Sequence, residues 1–171
     1  MYLLFDGNVI LQQGNAPVIE FKIQIESPKA GDVHAILQRH FELMRAISPA
    51  ESCHVMAPDS LLEADVILMG ARQEGHFLAI GGLKVIAPGH AELKSMHTLE
   101  AVRGQGAGRK VLQALIKQAG TMGLQAVSLE TGSEGSFEPA RQLYQSHGFK
   151  ECPPFGAYAE DPLSVFMTRV I

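Results

Sequence analysis

The stretch from Val102 to Lys110 reads VRGQGAGRK, and an apolar run with helical spacing follows it. Glycine costs about 1 kcal/mol against alanine inside a helix, so Gly104, Gly106 and Gly108 at a helix mouth need a reason. The chemistry that uses such a stretch is anion binding. The first turn of a helix has unpaired N–H groups and the positive end of the dipole. Removing the β-carbon lets a phosphate come close to those groups. Arg103, Arg109 and Lys110 add positive charge within the same segment. Two phosphate-binding patterns fail here. Counted from Gly104, both GxGxxG and GxxxxGK[ST] need a glycine where Arg109 stands, and Val111 occupies the hydroxyl position of the second. The alternative reading of the glycines alone is a ligand-free, flexible loop between strand and helix.

Other reactive residue types carry less. The seven histidines include no HxH or HxxxH pair, so no metal site is expected. Cys53 and His54 are adjacent, and adjacent residues on a helix point about 100° apart, so they do not read as a nucleophile and its base.

The elements that must position the glycine stretch follow from periodicity. Val18 to Ile25 alternates apolar and polar and reads as a strand. Val33, Ile36, Leu37, Phe41 and Met44 recur at helical spacing, with Asp32 as N-cap. Ser48-Pro49-Ala50-Glu51 has the form of a capping box that starts a second short helix, and a further turn follows Asp59. Val66–Arg72, His76–Ile86 and Ala91–Leu99 read as strands joined by short Gly- and Pro-containing turns, hence an antiparallel meander. After the glycines comes a helix through Val111, Leu112, Leu115 and Ile116, ending near Gly120 or Gly123. A strand over Ala126–Thr131 and a helix over Glu138–His147, closed by Gly148, come next. FKEC reads as a short strand, Pro153–Pro162 as a loop and Ser164–Ile171 as a last strand. Residues 1–16 suit a hairpin around Asp6-Gly7. The order gives an α/β sheet of mixed direction, antiparallel first and then crossed over by two helices.

Length and charge bound the rest. A chain of 171 residues suits one domain, and 46% hydrophobic residues suffice for a core. The net charge of −4 offers no basic excess to recruit nucleic acid or an anionic membrane, so an anion site must be local. The apolar N-terminus lacks a basic flank and is broken by Asp6, so it reads as neither a leader nor a span. Two distant cysteines, Cys53 and Cys152, argue against a disulfide framework and for a cytoplasmic setting.

Arg103-Gly104-Gln105-Gly106-Ala107-Gly108 resembles the R/Q-x-x-G-x-G/A signature of the GNAT superfamily of N-acetyltransferases. AELKSMHT, ending at Thr98, is similar to the family's central strand, and ARQLYQSHGF (Ala140–Phe149) to its A-x-x-L-Y-x-x-x-G-F segment. HFELMRAISPAESCH and PFGAYAEDPLSVFM resemble an uncharacterised branch of the family. The resemblance runs from residue 18 to residue 171, with residues 1–17 as an N-terminal extension. It implies an α/β (α+β) fold with a mixed, mostly antiparallel central sheet flanked by helices.

The resemblance also implies acetyl-CoA as cosubstrate, with no metal. The diphosphate would sit on the backbone from Arg103 through Gly104, Gln105, Gly106, Ala107 and Gly108 to Arg109. The pantetheine arm would lie along Met96, His97 and Thr98 as an extra strand would. In the family a bulge splays this strand from the next to make the slot, and nothing in the local spacing shows that bulge. Tyr144, at the Leu-Tyr position, would be the acid near the coenzyme sulfur, or else a core tyrosine. Glu92 matches the strand glutamate that serves some members as base. Unbulged alternation puts Glu92, Lys94, Met96 and Thr98 on one face, where Lys94 could pair with Glu92 and hold it charged. Glu130 and His97 are the other base candidates, and a backbone N–H near His97 or Thr98 would be the oxyanion donor. Polar acceptor contacts would come from His40, Glu42, Arg45, Ser52 and His54, and from Phe155, Tyr158, Glu160 and Asp161.

The implied function is direct acetyl transfer to a primary amine of a small molecule, amino acid or peptide. The competing reading is a CoA- or acyl-CoA-binding sensor or interaction module with little or no turnover. A homodimer could form by strand pairing at a sheet edge.

Overall fold

The computed structural model describes residues 20–47, 49, 54–63 and 66–171. The expected hairpin over 1–16 and the core of the expected capping box (Ser48, Ala50, Glu51) lie outside those residues, as do Ser52 and Cys53.

The described chain runs β1 (Lys22–Glu26), α1 (Gly31–Ile47), α2 (Pro58–Glu63), β2 (Val66–Gln73), β3 (His76–Ala87), β4 (His90–Thr98), α3 (Ala107–Thr121), β5 (Ala126–Gly132), α4 (Glu138–Gln145), β6 (Lys150–Glu151) and β7 (Ser164–Val170). The strands form one seven-stranded sheet in the order β1-β2-β3-β4-β5-β7-β6. Every neighbouring pair is antiparallel except β4 and β5. The parallel pair follows from its connection. A chain that leaves β4 must cross over through α3 before β5 can lie beside it in the same direction.

Alternation along the strands divides the core. Leu68 and Ile80 point to one face and pack with Val33, Ile36 and Leu37 of α1 and Leu61 of α2. Met69, Ala79 and Leu83 point to the other and pack with Val111, Leu112 and Leu115 of α3. The buried positions of α1, at Val33, Ile36, Leu37 and His40, keep the i, i+3, i+4, i+7 spacing of a single buried stripe.

Three expectations shift. Asp32 lies in the first turn of α1 rather than at its cap, and its carboxylate accepts the N–H of Val33 (2.9 Å) and Nη1 of Arg72 (2.6 Å). Arg72 also donates to Glu26 (2.7 Å), so one guanidinium ties β1, β2 and α1 together. The strand expected over FKEC shrinks to Lys150–Glu151, because Pro153 and Pro154 follow it and cannot donate to a ladder. The turn after Asp59 is part of a helical turn and a half, α2.

Candidate active site

The glycine stretch sits where the meander ends. A single 3₁₀ turn, Glu100–Val102, links β4 to the glycines. Gly104 and Gly106 then take φ of 76° and 96°, in the left-handed region where a β-carbon is strained. Gly106 is the residue before α3, and its carbonyl accepts the N–H of Lys110 at 3.0 Å. The first-turn N–H groups of Ala107, Gly108 and Arg109 have no acceptor within the helix. Gly108 lies against β4 so closely that a β-carbon there would come 2.7 Å from Thr98 Oγ1. The helix mouth is therefore a bare, electropositive cradle, which suits a diphosphate.

The cradle opens onto a split in the sheet. β4 pairs with β5 only over His90–Glu92 against Ala126–Ser128. Beyond Glu92 the two strands part, while β5 stays paired with β7 through Gly132. A bulge accompanies the parting. Ile80 pairs with His97 and Gly82 with Lys94, so Gly81 alone faces both Ser95 and Met96. Ser95 takes a φ of 53° to make the bulge. Gly81 makes room for it, since a β-carbon there would run into the Met96 sulfur and lie 2.8 Å from Leu115 Cδ1.

The bulge corrects the expected strand face. Glu92 and Lys94 stay together, but Met96 joins the α3 core cluster and Thr98 lies against Gly108. His97 turns instead toward His40 of α1, with ring centroids 5.3 Å apart. The inserted residue reverses every later side chain, as the two-residue period of a strand requires.

A single cavity of about 820 Å³ joins the split, the cradle and the inner side of α1. Of the expected cofactor contacts, Met96, His97, Thr98, Arg103, Gly104, Gly106, Ala107, Gly108 and Arg109 line it. Gln105 does not; its side chain turns back to the Ala101 carbonyl at 3.4 Å. Tyr144, Glu92 and Glu130 line the same cavity.

Their environments differ. Tyr144 is buried against Phe149, and burial followed by the charge of Glu130 holds its phenol above the usual range. Glu92 is buried and committed: Lys94 Nζ lies 2.9 Å from it, and the Tyr158 hydroxyl donates to it at 2.6 Å. Lys94 in turn donates to the Tyr158 oxygen at 2.6 Å. Glu130 accepts a bond from Ser164 Oγ at 2.8 Å. Burial raises its carboxyl above the usual carboxylate value, against the opposing pull of that bond and of His54 and Lys94.

The expected acceptor contacts divide. His40 and His54 line the cavity. Glu42 instead binds Gln38 on the exposed side of α1, and Arg45 lies over the Phe41 ring. Phe155 and Tyr158 pack edge-on against each other, and both contact Phe166, outside the cavity lining, while Asp161 accepts the N–H of Leu163. Tyr158 as the bridge between Glu92 and Lys94 was not legible in the sequence, since it lies 66 residues from Glu92. On the far wall of the cavity, Pro139, Ala140 and Leu143 of α4 join Tyr144, and no sequence signal marks them as lining residues.

Comparison with known proteins agrees with this geometry. The model of the acetyltransferase (GNAT) family matches residues 32–149. The uncharacterized N-acetyltransferase YsnE of Bacillus subtilis (strain 168) is 39% identical over 147 residues, covering 86% of this chain and 97% of YsnE. Among solved structures, the PaiA N-acetyltransferase of Thermoplasma acidophilum in complex with coenzyme A superposes with a TM-score of 0.68 at 16% identity, covering 89% of this chain and 99% of PaiA. YncA of Salmonella typhimurium, solved with its cofactor acetyl-CoA, gives a TM-score of 0.66 at 18% identity, covering 88% and 94% of the two chains. The glycine cradle, the split sheet and these likenesses together make the chain a member of the acetyltransferase (GNAT) family, an acetyl-CoA-dependent N-acetyltransferase.

Proposed function

We propose that this enzyme transfers acetyl directly to a primary amine of a small molecule, amino acid or peptide. The observation that carries the reading is the parting of β4 from β5 beyond Glu92, which opens onto the bare mouth of α3 within one cavity. Acetyl-CoA supplies an activated thioester there. The cradle from Arg103 to Arg109 would hold its diphosphate, and the freed edge of β4 at Met96, His97 and Thr98 would hold the pantetheine amides.

The chain's own groups then divide the work. An arriving ammonium, with a pKa of about 10.4 for a lysine-like amine, must lose a proton before it has a lone pair. Glu92 and Glu130 are the carboxylates at hand. Glu92 is tied to Lys94 and Tyr158, so its part is to keep that cation and phenol in place. Glu130, raised by burial, is the better base, because a raised pKa strengthens its hold on an abstracted proton. A backbone N–H near His97 or Thr98 would face the developing oxyanion. Tyr144 keeps its proton at neutral pH, and its phenol is a weaker acid than a simple thiol of pKa about 8.5. Its contribution is therefore a hydrogen bond to the departing sulfur rather than complete proton loss.

The test is release of free CoA thiol across an amine panel, for the wild type and for Tyr144→Phe. Amine-dependent release that falls in the variant supports the reading. Tight CoA binding without amine-dependent release from the wild type would instead identify a sensor or interaction module.

A further inference from the structure

The acceptor side of the cavity has an unusual makeup. Leu43, Met44 and Ile47 of α1, with Val55 and Met56 before α2, line it, and all five are only half buried. So many large apolar side chains facing one open cavity mark a surface that an apolar ligand covers. This wall is continuous with the slot that contains Glu130.

The polar groups on that side define the ligand's charge. His40 and His97 are 8% and 6% exposed, and His40 Nδ1 and His97 Nε2 have no hydrogen-bond partner among the described residues. Burial holds both rings well below the ordinary histidine value, so they are neutral at physiological pH. Lys94 is engaged by Glu92 and Tyr158. His54 packs edge-on against the Tyr158 ring. Arg103 and Arg109 belong to the cradle, and Arg103 donates to the Thr98 carbonyl at 3.3 Å. The acceptor side thus offers the carboxylate of Glu130, with His54 and the two buried imidazoles in the same cavity lining, and no unengaged lysine or arginine outside the cradle among its described residues. A carboxylate on the acceptor would meet the like charge of Glu130 and no lysine or arginine outside the cradle that is not already engaged, whereas an ammonium is attracted to Glu130.

Building on the acetyl-transfer reading, we infer that the acceptor is a primary amine on an apolar body without a carboxylate, its body against the α1 wall and its nitrogen toward Glu130. An arylalkylamine has this chemistry. A free α-amino acid does not, and a small hydrophilic amine leaves the wall bare.

The test is calorimetric binding to the full chain, with and without saturating CoA, of 2-phenylethylamine, phenylalanine and ethanolamine. The expected result is that 2-phenylethylamine binds at least about tenfold tighter than either of the others, the discrimination a few apolar contacts provide. Leu43→Ser and Met56→Ser should each weaken 2-phenylethylamine about tenfold and leave ethanolamine unchanged. Both side chains are half exposed, and an unaltered melting temperature shows that the fold is kept. Phenylalanine binding as tightly as 2-phenylethylamine, or ethanolamine doing so, overturns the inference. Because binding is read without turnover, a tight arylalkylamine that releases no CoA thiol would refute acetyl transfer while sustaining this acceptor class.

Discussion

Lowering the pH should destabilise the fold through His40 and His97. Both rings are buried, and burial brings each pKa down to about 4 from an ordinary 6.5; for His40 the neighbouring His97 adds to the effect, and for His97 so do Arg103 and Arg39. The unfolded chain therefore binds more protons than the folded one between about pH 6.5 and 4. Stability must rise with pH across that window and be lost as pH falls through it. Linkage gives about 2 kcal/mol per ring between pH 7 and pH 5. The rings face each other, so they titrate as a coupled pair and the second proton is the harder to add. At roughly 2–4 °C per kcal/mol for a domain of this size, the pair alone lowers Tm by about 10 °C. The assay is thermal unfolding of the wild type and of a His40→Leu, His97→Leu double variant from pH 7.5 to 5. Glu130, raised by burial, acts in the opposite direction and is common to both proteins. The double variant should show a pH slope shallower by that amount, whatever its absolute stability. Equal slopes in the two proteins would refute the argument that these imidazoles are buried and neutral.

Other perturbations separate the parts of the site. Gly81→Ala drives a methyl group into Met96 and Leu115, and should cost about 1–3 kcal/mol in chemical denaturation while weakening CoA binding by disturbing the bulge. Tyr144→Phe removes the phenol proposed to bond the departing sulfur and should lower kcat by roughly 10²-fold or more with little change in CoA affinity measured by titration. Glu130→Gln should flatten the acidic limb of the kcat/KM profile. In the wild type that limb should lie above the usual carboxylate range, because as the proposed base Glu130, raised by burial, must first ionise; an unchanged limb in the variant would transfer the role to another group.

Much of the scaffold was legible because it is written locally. Short turns at Gln73-Glu74-Gly75 and Ala87-Pro88-Gly89 enforce the meander, and β2, β3 and β4 lie within a residue or two of the expected ranges. The cradle was legible too, since glycine, arginine and a helix start are neighbours in sequence. What escaped depends on distant partners. The bulge at Ser95 belongs to β4, yet what makes it feasible is the missing side chain of Gly81 on β3. The pair Gly81-Gly82 within an otherwise apolar strand was the available signal, because glycine inside a strand marks a bulge or a close approach. Simple alternation, which ignores it, places Met96 and Thr98 on the wrong face. The tie between Glu92, Lys94 and Tyr158 joins a strand to a loop late in the chain, and no spacing rule encodes it. Nor does periodicity distinguish Leu43, Met44 and Ile47, which line the cavity, from the core stripe beside them.

The proposed acetyl transfer depends on the helix mouth at Gly104–Arg109 gripping the diphosphate of an acyl carrier. Isothermal titration of acetyl-CoA into the wild type and into Gly106→Val tests it most directly, because valine is strained at a φ of 96° and would fill the approach to the helix amides. The expected result is one-to-one binding to the wild type and a loss of most of that affinity in a variant that still folds. Equal affinities for the two proteins, or no binding to the folded wild type, would contradict it.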